Sequence, residues 1–480
     1  MGHDYSDLYI GGRWATPASS QRVEVRSPAN GSAVGSYPES TEADVDAAVS
    51  AAALALHDPA WRDLTLDGRA DLMERLADAM ERRSEERSIL VSNQNGMPVT
   101  ISRLSEGSAT VGLLRYYASL CRSTDVEERR PSFGGEAATI IRKEPVGVVA
   151  AIAPWNYPVI LSMFKLGPAL ATGCAVVLKP SPETTLDSLL LAEAAEEVGL
   201  PPGVINVVTG GAEIGQYLVA HPSVDKVAFT GSTRAGRQIG EICGRLIRPV
   251  TLELGGKSAA LILDDADPAA TAEGLSVASL MNTGQTCYLS TRILAPEHRY
   301  DEFLDAITGM ASSLPLGDPL DEKTYVGPLV SRRQRERVES YIEAGRSEGA
   351  RVTTGGGRPA GFDGYYIEPT VFGNVDHGAR VAREEIFGPV LSVIPYRDDD
   401  EAVALANDSE YGLGGTVWTA DQERGIDIAR RVETGSFGVN GYTLDFGAPF
   451  GGVKSSGVGR ELGPEGMDAY WATKSIYLPN

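Results

Sequence analysis

From Pro145 to Glu253 one pattern repeats: a short apolar run, a loop carrying Gly, Pro or Asn, then a stretch of helical period. The apolar runs are Val146–Ala153, Ala175–Leu178, Val204–Val208, Lys226–Phe229 and Val250–Glu253. The intervening helices are expected over Ser162–Ala171, Asp187–Val198, Ala212–Ala220 and Ala235–Cys243. Continuous apolar strands alternating with helices require a parallel sheet covered on both faces. Ligands of such sheets bind beyond the carboxyl ends of the strands. Most of the unusual loops of this chain lie there.

The flanking regions extend this α/β plan. Leu8–Trp14 reads as a hairpin turning at Gly11-Gly12, and Thr41–Leu56 as a helix that Thr41 can cap. Asp67–Asn93 reads as one or two amphipathic helices. Thr124–Arg142 is polar, contains Pro131 and Gly134-Gly135, and then alternates, as an arm leading into a strand would. A second α/β stretch runs from about Asp267 to Glu433, with strands expected at Tyr366–Phe372 and Val390–Tyr396. Tyr470–Leu478 reads as an extended tail whose edge a neighbouring subunit could pair.

Charge and cysteine content exclude several classes. Lys plus Arg number 43 against 65 Asp plus Glu, a net charge of -22, so a nucleic-acid partner is not expected. The four cysteines are far apart and no two of the five histidines have ligand spacing, so neither a disulfide scaffold nor a metal site is expected. No apolar run is long enough to span a membrane. Met1–Asn30 is polar and lacks an apolar core, so a cytoplasmic location is the expectation.

Four loops carry chemistry-bearing residues. In Gly284-Gln285-Thr286-Cys287, the thiol sits among polar and glycine positions where main-chain amides can face its sulfur. It is either a nucleophile or one more small buried hydrophobe, as the contexts of Cys121, Cys174 and Cys243 suggest for those residues. In Leu252–Lys257, Glu253 ends an apolar strand, where a carboxylate is either a general base or a salt-bridged terminus. Asn156 follows Pro154-Trp155 at another strand end, either as an oxyanion donor or as a turn residue. Phe229–Thr233 closes a strand and opens a helix, a placement that suits a phosphate. No GxGxxG or GxxxxGK[ST] pattern accompanies it.

Taken in order with Lys179-Pro180, Glu384–Pro389 and Pro449–Gly457, these motifs resemble the aldehyde dehydrogenase superfamily over essentially the whole chain. The separation of Glu253 and Cys287 resembles that of NAD(P)-dependent, hydrolytic, non-acylating members. The resemblance implies a Rossmann-type parallel-sheet cofactor domain (1–123 and 145–255), an α/β catalytic domain (256–455), and a small β oligomerisation arm with tail (124–144 and 456–480). It implies Cys287 as nucleophile, Asn156 as oxyanion donor and Glu253 as the base that activates water. For the cofactor it implies Trp155, Lys179, Gly231, Ser232, Glu385 and Phe387. For the aldehyde wall it implies Tyr157, Leu161, Phe164, Met281, Tyr288, Leu444 and Phe450. A homodimer or homotetramer is the implied assembly.

One position departs from the family pattern. Many NAD-preferring relatives carry glutamate three residues after the lysine; here that residue is Pro182, and glutamate follows at Glu183. Removing a carboxylate near the ribose 2'-hydroxyl removes repulsion against a 2'-phosphate. NADP is therefore expected to be tolerated, while NAD remains the expected cofactor, with Glu183 among its binding residues because it can still reach the ribose. The wall residues are large, mostly apolar and without an evident Lys or Arg, so an aliphatic, terpenoid or aromatic aldehyde is expected. The alternatives are CoA-acylating oxidation of a semialdehyde, against which Glu253 argues, and a non-catalytic binding protein on the same scaffold.

Overall fold

The computed structural model describes residues 3–133 and 137–478. Two large sheets organise it. The first has eight strands in the order Gly457–Val458, Val250–Glu253, Lys226–Thr230, Val148–Ile152, Ala175–Lys179, Ile205–Val207, Leu8–Ile10 and Arg13–Ala15. Its five central strands are parallel, and the outer ones are antiparallel. Val148–Ile152 and Ala175–Lys179 are buried at every position, which is why their sequences do not alternate. Helices Pro158–Thr172, Leu186–Glu197, Ala212–Ala220 and Thr233–Leu246 fall in the loops between these strands, as the repeat requires.

The second sheet has seven strands centred on Val390–Tyr396, Arg292–Pro296 and Ala259–Ile262. These pair in parallel; Arg351–Thr354 at one edge is antiparallel. Its core is divided by the sheet, with Leu261, Leu294 and Phe372 on one face and Ile262, Ile293 and Phe303 on the other. The strand expected over Tyr366–Phe372 is shorter than that and begins at Thr370. Pro369 has no N–H to give to a ladder, so pairing starts after it.

The arm is a three-stranded antiparallel sheet in the order Trp471–Leu478, Ala138–Pro145, Glu127–Pro131. The strand Trp471–Leu478 thus pairs along all eight of its residues with Ala138–Pro145 of its own chain. Its opposite edge is open, with Tyr477 78% exposed. The Gly134-Gly135 pair read as part of this arm lies outside the described residues. Gly457–Val458, assigned by sequence to the tail segment, hydrogen-bond to Val250–Glu253 and so extend the first sheet at the very strand that ends in Glu253.

The N-terminal features form as read. The hairpin joins Leu8–Ile10 to Arg13–Ala15, and helices run over Glu42–Ala55, Leu66–Arg82 and Ser84–Asn95. At Thr41 the cap works in reverse: Asp44 accepts from the Thr41 N–H (2.8 Å) and hydroxyl (2.9 Å).

Candidate active site

The site forms where the carboxyl ends of the first sheet's strands meet the loops that lead into Ala259–Ile262, Arg292–Pro296 and Val390–Tyr396 of the second. Glu253 ends its strand, Asn156 follows Val148–Ile152, Lys179 ends Ala175–Lys179, and Cys287 enters on the loop after helix Pro268–Leu280. That loop is bent hard. Asn282 (φ 52°), Thr283 (φ 57°) and Gly284 (φ 73°) are all left-handed. A β-carbon on Gly284 would lie 2.2 Å from the carbonyl oxygen of Gly388. Gly256 crosses beneath Cys287, where a β-carbon would lie 2.7 Å from the Cys287 carbonyl oxygen.

Cys121, Cys174 and Cys243 are buried, whereas Cys287 is partly exposed. Its thiol is held well above the ordinary range, by burial first, then by the carboxylates of Glu385 and Glu253. The amides of Cys287 and Tyr288 oppose this by facing the sulfur. Asn156 is 4% exposed and donates its side-chain amide to the carbonyl of Gln285, 3.0 Å away, which ties it to the cysteine loop.

Glu253 is 3% exposed, and neither of its oxygens has a hydrogen-bond partner among the described residues. Burial and Glu461 push its carboxyl well above the ordinary range, opposed by Lys165 and Arg460. Gly451 makes room for it: a β-carbon there would lie 2.5 Å from Glu253 Oε1. Behind it stands a buried ion pair that the sequence reading missed. Lys165 Nζ donates to Glu461 Oε1 (2.9 Å) and to Thr230 Oγ1 (2.6 Å). The available signal was a lysine inside helix Pro158–Thr172, every residue of which is buried.

A second carboxylate, Glu385, lines the same small cavity as Cys287, with Gly256, Gly284, Thr286 and Phe387. Glu385 Oε1 accepts from the Gly256 N–H at 3.1 Å, and Oε2 accepts from no described residue. Burial pushes its carboxyl up to about 7. Arg337 and Gln334, on helix Arg332–Ser347, grip its main chain and that of Ile386 and Phe387. Neither was foreseen. Phe387 sits at φ 62° with its ring edge-on to Trp155, centroids 5.3 Å apart.

The remaining cofactor candidates sit at or just beyond the carboxyl ends of Ala175–Lys179 and Lys226–Thr230 in the first sheet. Lys179 is 5% exposed, and its Nζ donates to the Pro180 carbonyl (3.0 Å). Burial lowers its ammonium to about 8. Glu183 is held by the Ser181 hydroxyl (2.6 Å) and approached by Arg333 from the second sheet's side (3.5 Å). Ser232 caps helix Thr233–Leu246 by accepting from Ala235, and Gly231 is packed by the Phe229 ring, which a β-carbon would meet at 2.5 Å. A buried lysine, a helix start, a carboxylate with one free oxygen and a Trp–Phe wall fit a dinucleotide with two riboses and a pyrophosphate.

On the other side of Cys287 lies an aromatic wall. Tyr157, Leu161, Phe164 and Phe450 are buried in the main core, with Tyr288, Leu444 and Phe446 packed against it. Phe164 meets Phe446 and Phe450 edge-on at 6.3 and 6.4 Å. Tyr157 shares a hydrogen bond with Thr286 (3.0 Å). Met281 opens the bent loop just before Asn282. Tyr442, which sequence reading did not pick out, stacks on Tyr288 at 4.4 Å and is fixed by a 2.6 Å hydrogen bond to Ser436. Among the described residues no group of three His, Cys, Asp or Glu could hold a metal ion, and no helix is long and apolar enough to cross a membrane.

The chain that brings together this thiol, amide and pair of carboxylates on two α/β sheets matches the aldehyde dehydrogenase family model over residues 14–476. The chain belongs to that family. It is 56% identical over 475 residues to a geranial dehydrogenase of Castellaniella defragrans, covering 99% of each chain. It is 40% identical over 480 residues to a phenylacetaldehyde dehydrogenase of Pseudomonas fluorescens, covering 98% of this chain and 95% of that one. Its fold superposes on a Mycobacterium tuberculosis aldehyde dehydrogenase complexed with NAD+ at a TM-score of 0.98 and 46% identity, covering 100% and 99% of the two chains.

Proposed function

We propose that this protein oxidises an apolar aldehyde, of the acyclic terpenoid or arylalkyl kind, to the free carboxylic acid with NAD+. One observation carries the reading: Cys287, Asn156 and Glu253 come together from the loop after helix Pro268–Leu280 and from two strand ends, with neither Glu253 oxygen partnered among the described residues. Cys287, which is partly exposed, gives its proton to solvent water, and its sulfur adds to the aldehyde carbon to form a thiohemiacetal. The oxygen that becomes negative is met by the Asn156 amide and the Cys287 N–H. NAD+, when bound, supplies the hydride acceptor that the oxidation needs. Glu253 then takes a proton from water, which attacks the thioester carbon and releases the acid from Cys287. Lys179, Glu183, Gly231 and Ser232 would hold the adenosine and pyrophosphate side; Glu385, Phe387 and Trp155 would hold the nicotinamide side.

The aromatic wall and the geranial and phenylacetaldehyde dehydrogenases among the relatives support the substrate class. The NAD+ complex of the Mycobacterium tuberculosis relative supports the cofactor. Pro182 supports tolerance of NADP, and the open edge of Trp471–Leu478 supports a homodimer or homotetramer. The test is reduced-cofactor absorbance across a panel of geranial, phenylacetaldehyde, an alkanal and a semialdehyde acid, with NAD+ and with NADP+. Turnover of the first three, free acid as product and no need for CoA are expected. A requirement for CoA would overturn the role of Glu253, and preference for the semialdehyde acid would overturn the substrate class.

A further inference from the structure

The proposed oxyanion amide does not stand alone, and the groups that fix it lie on other parts of the chain. Asn156 Nδ2 donates to Gln285 O (3.0 Å), the Gln285 N–H donates to Asn282 O (3.0 Å), and Asn282 Nδ2 donates back to Asn156 O (3.2 Å). The three bonds close a ring. A main-chain carbonyl only accepts, so each side-chain amide in the ring must present its nitrogen. Asn95, 2% exposed at the end of helix Ser84–Asn95, adds a second clamp. Its Nδ2 donates to Trp155 O (3.0 Å) and Asn156 O (3.3 Å), while its Oδ1 accepts from Met97 N (2.9 Å). The Asn156 carbonyl therefore receives two amides, one from the end of helix Ser84–Asn95 and one from the bent loop before Cys287. Asn282 holds its place at φ 52°, a conformation unfavourable for most residues, and Asn tolerates it better than others.

The geometry points to Asn282 and Asn95 as positioning residues that orient the Asn156 amide toward the oxygen bound at Cys287. Nδ2 of Asn156 carries two hydrogens; Gln285 takes one and thereby aims the other. An oxyanion donor works by being fixed before charge develops, so loosening its frame costs rate in the transition state without costing substrate binding.

This inference rests on the oxyanion role proposed above for Asn156. Hydrolysis of a 4-nitrophenyl ester by the full-length enzyme tests both, because it uses the same thiol and oxyanion and no cofactor. Asn282→Asp and Asn95→Asp keep side-chain shape and tolerance of the local backbone but turn the donor into an acceptor. Each should lower kcat roughly 10- to 100-fold, with KM within about twofold. In an Asn156→Ala background the same substitutions should cost less than about twofold further, since they act through a group already removed. Full multiplicative losses in that background would overturn the inference, as would silent single variants beside a damaged Asn156→Ala enzyme. An undamaged Asn156→Ala enzyme would overturn the oxyanion assignment itself. Should the aspartates fail to fold, Asn282→Gly, which accepts the same φ, carries the same comparison.

Discussion

Two carboxylates face Cys287, and the fold holds them in opposite ways. Glu253 ends a buried strand with both oxygens unpartnered among the described residues and an ion pair behind it. Glu385 has one oxygen anchored on the Gly256 amide, its main chain gripped by Arg337, and the main chain of Ile386 and Phe387 beside it gripped by Gln334. Burial raises both. The difference teaches what each can do. A carboxylate that must take up and release a proton is left free in a dry wall, where its basicity is high. One that must hold a ligand is fixed in place and offers a single oxygen.

Four experiments break or sharpen that contrast. Cys287→Ala removes the atom both carboxylates face, and steady-state turnover should fall by at least ~10^4-fold. Retained turnover would remove the frame of the comparison. Glu253→Gln should lower steady-state turnover by about 10^2- to 10^4-fold while a first, stoichiometric burst of reduced cofactor survives, because acylation precedes the step that needs the base. Rapid mixing and mass detection of the acylated enzyme read this directly. Glu385→Gln should cost about tenfold, in cofactor affinity and in the burst itself, with no acyl-enzyme build-up. If the two glutamines behaved alike, the distinction drawn here would fail.

The pH dependence separates the pair further. Glu253 must be ionised to act, and its carboxyl lies well above the ordinary range. The acid limb of kcat should therefore lie well to the alkaline side of an ordinary carboxylate, vanish in Glu253→Gln, and persist in Glu385→Gln.

The smallest effect is on stability. Burial raises Glu106 to about 8, Asp187 to about 7 and Glu385 to about 7, from ordinary values of 4.5, 3.8 and 4.5. Each keeps its proton in the folded state over a range where the unfolded chain has lost it. Stability should thus fall as pH rises from about 4 to 8, by at most roughly 1.4 kcal/mol per unit and group. The thermal midpoint across that range checks it, and Glu106→Gln should flatten the slope.

Much of this site was legible before any coordinates. The parallel strands announced themselves by being apolar at every position, and Glu253 stood out as the charge ending one of them. Cys287 stood out because its neighbours were polar and glycine, unlike those of the other three cysteines. Tyr366–Phe372 was misjudged at its start because apolar composition says nothing about which N–H groups are available, and Pro369 has none.

The sequence by itself determined the layered α/β plan, because strand period and glycine placement are local properties, and it marked Cys287, Asn156 and Glu253 as candidates whose roles only the family resemblance proposed. Only the tertiary structure decided what surrounds them. Lys165 and Glu461 are 296 residues apart, and Asn95 reaches Asn156 across 61. Tyr442 meets Tyr288 only when the seven-stranded sheet brings the loop after Gly438–Val439 beside the loop before Arg292–Pro296. Partners so distant in the chain leave no periodic signature, since the chain between them is free to take any length. Their hydrogen bonds are required by burial rather than by neighbouring residues, and burial exists only once the layers have packed.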